Sequence, residues 1–130
     1  MYISLRLLTW IWQLPQNILG ALITFMFCEE VAGCYVWRNA TCTGSVSLGD
    51  YIILGSGRDS NTLRHEQGHA VQSLYLGPLY LIVIGVPSII WAACWCSFKA
   101  VEWMRGKGWT YYGFYTERWA DSLGGVYRNE

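Results

Sequence analysis

From Ala70 to Phe98 the chain carries no charged side chain, and a second such stretch runs from Leu7 to Cys28. These runs limit the fold more than any other feature, because a helix of about 20 apolar residues matches a hydrocarbon core of about 30 Å. Gly77-Pro78 interrupts the longer run, and that dipeptide breaks helices. Leu79 to Phe98 is therefore expected as one transmembrane helix, which Pro87 can kink, and residues 1–28 as another. The N-terminal run is too long, and too polar in its middle, for a signal-peptide core. Composition agrees: 53% of residues are apolar and 14% charged, against about 25% charged in soluble proteins. Eight tryptophans and nine tyrosines suit a protein with surface at the bilayer interface. Nine basic residues balance nine acidic ones, so no cationic excess points to a nucleic-acid partner. At 130 residues the chain is long enough for one core, and a single domain 1–130 is expected.

The polar middle of the first run places Gln13, Gln16 and Asn17 on one helical face. Polar groups in a membrane helix face protein or a wet cavity, so this stripe either lines an access route or hydrogen-bonds a neighbouring helix. Between the runs, residues 31–56 read as β structure. Tyr35-Val36-Trp37 is a short strand; Ser45 to Leu48 alternates polar and apolar; Gly49-Asp50 supplies a two-residue turn; Tyr51 to Leu54 follows. The fold class is a mainly α membrane protein with a small antiparallel β-hairpin or sheet. Five cysteines (Cys28, Cys34, Cys42, Cys94, Cys96) show no C-x-x-C spacing and read as mostly free thiols on a reducing side. Asn39-Ala40-Thr41 matches a glycosylation sequon.

The chain's two histidines stand four apart in His65-Glu66-Gln67-Gly68-His69, within a helix expected over 59–76. The loop before it can cap that helix through Asp59, Ser60 or Asn61. Residues four apart share a helical face, so both imidazoles can meet one metal ion at about 2.0–2.1 Å. Glu66 lies roughly 100° round the helix, too far to be a ligand from that turn yet placed to take a proton from metal-held water. Gly68 removes a side chain beside the metal face and lets another backbone or a substrate approach, at a cost of up to about 1 kcal/mol in helix stability. A third ligand is needed, and with no cysteine nearby a carboxylate is the natural donor. The downstream candidates are Glu102, Glu117, Asp121 and Glu130. Glu117 and Asp121 are again four apart, on a helix expected over 110–123, so one can bind metal while the other orients a histidine. Lying among Trp109, Tyr111, Tyr112, Phe114, Tyr115 and Trp119, these acids need a partner.

H-E-x-x-H followed downstream by E-x-x-x-D resembles the gluzincin metallopeptidases. The apolar segment between the motifs and the small size resemble their membrane group, which includes the CAAX prenyl proteases and the heat-shock membrane proteases. The resemblance covers the two motifs and their order. It implies one zinc ion per chain held by His65, His69 and Glu117, with Glu66 as general base and Asp121 as partner of a histidine. It also implies cleavage of a peptide or membrane-associated protein substrate at a membrane-embedded site, with an edge strand beside the active helix holding the substrate. Tyr111, Tyr112, Tyr115 or an arginine would have to stabilise the oxyanion. Two other functions fit the residues: a non-catalytic membrane module in which zinc is structural or absent, and a zinc hydrolase of a non-peptide amide or ester.

One topological consequence follows. If His69 and Glu117 share an ion, the chain must return after Leu79–Phe98, either as a helical hairpin bent at Gly77-Pro78 or by re-entry after Trp109. The hairpin leaves Arg6 alone on one side of the bilayer and the other basic residues opposite, which puts the active site at the cytoplasmic face.

Overall fold

A computed structural model describes residues 2–38, 44–55 and 60–128. The sequon at Asn39, Cys42, the cap position Asp59 and Glu130 lie outside the described residues. The N-terminal run forms two helices, α1 (Tyr2–Trp12) and α2 (Leu14–Phe27), not one. Gln13 sits between them at φ −103°, ψ 26°, and Pro15 has no N–H to continue the ladder. The helix then stops at Phe27 because Cys28 begins a strand. No single helix among the described residues is long and apolar enough to cross a membrane.

The sheet has four short strands, β1 (Cys28–Val31), β2 (Cys34–Trp37), β3 (Val46–Leu48) and β4 (Tyr51–Leu54), in the order β1-β2-β4-β3. The expected β3–β4 hairpin is present, with Leu48 opposite Tyr51 and Gly49 at φ +65° in the turn. The sheet is mixed rather than wholly antiparallel, since β2 and β4 run parallel. It also starts earlier than expected. The β1–β2 turn is Ala32-Gly33, both at positive φ, a geometry suited to two-residue hairpins. Alanine rarely adopts it, so the sequence carries little sign of this turn.

After α3 (Ser60–Leu76) the expected 79–98 helix is replaced by shorter pieces. These are a 3₁₀ turn (Gly77–Leu79), a π-helical turn (Leu81–Gly85) and α4 (Val86–Cys94). The chain then bends by 101° into α5 (Phe98–Gly106), which starts at Ser97, whose hydroxyl accepts from the Ala100 N–H at 3.4 Å. Two prolines explain much of the irregularity. Pro78 and Pro87 cannot donate to the carbonyls four residues earlier, Leu74 and Val83. Each freed carbonyl is claimed by an aromatic side chain from elsewhere: the Trp12 indole donates to Leu74 at 2.8 Å and the Tyr115 hydroxyl to Val83 at 2.7 Å.

The last helix, α6 (Tyr115–Gly124), follows a 3₁₀ turn at Tyr111–Gly113, so it starts later than the expected 110. It ends where Gly125 turns left-handed at φ +71° and the Val126 N–H returns to the Asp121 carbonyl at 2.8 Å, a glycine-dependent helix stop. Helices α3 and α6 lie back to back at unusually close range. A Cβ on Gly68 would overlap the Ala120 carbonyl, and one on Gly124 would overlap that of Arg64.

The fully buried apolar residues are few, Ile53, Ile84 and Ala120 among them, and many buried side chains are polar. The Gln13–Gln16–Asn17 stripe is one such group. Gln16 donates to the Ser73 hydroxyl and the Gly77 carbonyl, both at 2.8 Å, and Ser73 donates to Gln13 at 2.6 Å. Asn17 accepts from the Asp50 N–H at 2.7 Å, fixing the β3–β4 turn against α2. Of the two expectations for this stripe, bonding between elements is the one observed.

Candidate metal centre

Two successive turns of α3 present His65 and His69, their rings perpendicular with centroids 4.7 Å apart. Glu117 enters from the first turn of α6. Its Oε2 is 3.1 Å from His69 Nε2 and its Oε1 is 3.8 Å from His65 Nε2. The three residues are buried, and one ligand atom from each falls within 4.8 Å of the others, so the group can hold a metal ion. The other carboxylate candidate among the described residues, Glu102, lies on α5, outside this group. The approach depends on Gly68: any side chain there would push Ala120, and with it Glu117, away from the histidines.

The outer ring nitrogens are both occupied. His65 Nδ1 is 2.7 Å from Asp121 Oδ1, as the i, i+4 spacing of Glu117 and Asp121 implies. A carboxylate only accepts, so that nitrogen carries a proton and Nε2 is the ring nitrogen left facing the cluster. Asp121 is itself gripped by Arg128, through Nε at 2.7 Å and the second guanidinium nitrogen at 3.1 Å. The Arg128 guanidinium also lies 3.3 Å above the Tyr112 ring, which meets His65 edge-on at 5.4 Å. His69 Nδ1 is 2.7 Å from Gln72 Oε1.

The sequence motifs do not assign Gln72 or Arg128 to the site. Gln72 carries a signal, a polar residue one turn past His69 inside a charge-free run. Arg128 carries none, because its role depends on how the chain turns at Gly125.

The remaining contacts to Glu117 come from its own neighbourhood and from one distant segment. Tyr111 donates to Glu117 Oε1 at 3.1 Å, Thr116 to Oε2 at 3.0 Å and Ser88 to Oε2 at 3.4 Å. Ser88 belongs to α4, and the Trp91 indole of the same helix donates to the Tyr111 carbonyl at 2.8 Å. The apolar segment therefore does fold back to the acid-bearing helix. Of the three tyrosines expected as oxyanion donors, Tyr111 faces the cluster with its hydroxyl and Tyr112 with its ring. The Tyr115 hydroxyl donates instead to the Val83 carbonyl. Strand β3 forms an edge of the sheet, with the Ser47 carbonyl accepting from the Tyr80 hydroxyl at 2.8 Å.

Charge in the cluster is uneven. Burial pushes Glu117 up, but hydrogen bonds and the positive charge of His65 and His69 outweigh it and hold the carboxyl well below its usual range. For His69, burial disfavours the charged form, yet bonding to Glu117 and the nearby carboxylates raise it. Glu66 behaves oppositely. Its burial wins over the lowering effect of the two histidines, so its carboxyl is pushed up, and its buried Oε2 has no hydrogen-bond partner among the described residues. Two nitrogens and a carboxylate within 4.8 Å of one another form a group that can hold a metal ion, and the same helix carries an acid oxygen unpaired among the described residues.

Set against known proteins, the chain matches no protein family, no curated protein and no solved structure.

Proposed function

We propose that this protein is a zinc-dependent, membrane-embedded peptidase with His65, His69 and Glu117 as the ligands of one zinc ion and Glu66 as general base. The observation that carries this reading is the convergence of those three ligands from two helices. The donor set fits: two imidazoles and one carboxylate are a typical catalytic zinc set, which keeps a fourth position open. Bound there, zinc would supply Lewis-acid polarisation of the peptide carbonyl and a more acidic water.

The chain's own groups do the rest. Glu66 accepts the water proton on its unpaired Oε2 and delivers it to the departing amine. Its burial favours the protonated carboxyl it must hold in between. Asp121 and Gln72 hold the histidine rings with Nε2 inward. Tyr111, already directed at Glu117 Oε1, is the hydroxyl to support the developing oxyanion.

A membrane location is part of the proposal. Leu5 and Leu8 on α1, Phe25 on α2, Ile82, Ile89 and Phe98 are all more than half exposed, an apolar surface that suits lipid better than water. Such a site suits an extended peptide or a membrane-associated protein as substrate, approached from the cytoplasmic face.

The test is metal content and peptide cleavage by the detergent-purified chain. Wild type is expected to carry one zinc, and Glu66→Gln to keep that zinc while cleaving roughly 10²–10⁴ times more slowly. Equal cleavage by the variant would refute the mechanism. Zinc without peptide turnover would favour the structural module, and turnover confined to other amides or esters the non-peptide hydrolase.

A further inference from the structure

Three hydrogen bonds and one ligand-to-ligand contact on the His69 side of the site close into a ring. His69 Nδ1 meets Gln72 Oε1 at 2.7 Å, and Gln72 Nε2 donates to the Thr116 carbonyl at 2.9 Å. The Thr116 hydroxyl donates to Glu117 Oε2 at 3.0 Å, and that oxygen lies 3.1 Å from His69 Nε2. Gln72 and Thr116 have no exposed surface. We propose that Gln72 and Thr116 are positioning residues of the metal centre, holding His69 and Glu117, from different helices, as one prearranged pair of ligands. The inference rests on the metal-binding reading of the site and not on peptide cleavage.

The direction of each bond follows from donor chemistry. The Thr116 carbonyl can only accept, so the Gln72 amide nitrogen must face it and the amide oxygen must face His69. That oxygen also only accepts, so His69 Nδ1 carries the proton and Nε2 presents its lone pair to the ion. The Thr116 hydroxyl fixes the rotation of the Glu117 carboxylate. A glutamate at 72 could still accept from His69 but could not donate to Thr116. A valine at 116 keeps the carbonyl and loses the hydroxyl. No other residue type among these serves both ends of the Gln72 link, which joins α3 to α6 beside the metal.

The two histidines are thus supported differently. His65 leans on the ionic Asp121–Arg128 pair, His69 on a neutral amide. Glu66 and Glu117 already place two carboxyl groups in the buried pocket. A third on His69 would leave more negative charge than one divalent ion balances, whereas an amide fixes the ring without adding any.

The test is zinc affinity, measured on the full chain in detergent by competition with a chromophoric chelator. Gln72→Leu should weaken zinc binding about 10–100-fold, Thr116→Val should weaken it less, and Gln72→Glu should fall between wild type and Gln72→Leu. Because both residues act through one ring, the double variant should lose less than the product of the single losses. Unchanged affinity in Gln72→Leu, or strictly multiplicative losses, overturns the proposal. Nitrogen-edited NMR of zinc-loaded wild type probes the same ring and needs no variant to fold. A hydrogen-bonded, slowly exchanging His69 Nδ1–H is expected, and zinc on Nδ1 would overturn the assignment. If these affinities change as expected but no peptide is cleaved, the peptidase reading fails and the ring stands. If wild type binds no zinc, both fall.

Discussion

Helix α3 carries two buried polar clusters, one on its His65–Gln72 turns and one around Ser73, and they are built on opposite plans. The second is made of neutral amides and a hydroxyl bonded to one another, Gln13, Gln16 and Ser73, closed by the Gly77 carbonyl, and Gln16 Oε1 is its one amide oxygen without a partner among the described residues. The first gathers carboxylates and imidazoles whose ligand atoms lie within 4.8 Å of one another, with Glu66 Oε2 unpaired among the described residues. Neutral groups can lock helices together without help, because each bond replaces one made to water. Two buried acids facing two imidazoles need added positive charge, from protons on the rings or from a cation. The contrast separates a joint from a site within one helix, although burial alone would class them together.

The sharpest way to break the contrast is His69→Ala. It should abolish stoichiometric zinc and peptide turnover, as read by metal analysis and a cleavage assay; full zinc retention would mean that the first cluster is also only a joint. Gly68→Ala comes next. Its Cβ must displace the Ala120 backbone, costing about 1–3 kcal/mol. Because α6 carries Glu117, zinc affinity should fall together with the thermal midpoint. Gln16→Leu strikes the second cluster. It removes one donor each from the Ser73 hydroxyl, which keeps Gln13, and from the Gly77 carbonyl, which keeps the Tyr80 N–H, for a loss of about 1 kcal/mol in denaturant unfolding. Zinc stoichiometry should stay at one, and its loss would show that the two clusters are coupled. Tyr115→Phe should have the smallest effect, about 1 kcal/mol for an unpaired Val83 carbonyl, with cleavage unchanged if its hydroxyl plays no part in the chemistry.

The first cluster was largely legible and the second only half so, for a physical reason. Helical periodicity is a local rule, so His65 with His69 and Glu117 with Asp121 could be paired by counting. Gln13, Gln16 and Asn17 could be placed on one face by the same rule, but not given partners, since Ser73 and Gly77 lie far along the chain. The long-helix expectations missed because hydropathy does not report where a carbonyl finds its donor. At Pro78 and Pro87 the donors are Trp12 and Tyr115, and the helix is rewound around them. The Ala32-Gly33 turn was hidden because alanine seldom marks a left-handed position.

The sequence by itself determined the donor atoms and the helical faces that carry them, and the charge-free run of Ala70–Phe98. Those follow from residue type, the 3.6-residue period and the lack of charge. Tertiary structure alone decided that Gln72 reaches Thr116. It also decided that Arg128 closes over Asp121. Each of these depends on two helices approaching until glycine meets backbone, a distance that no periodicity encodes.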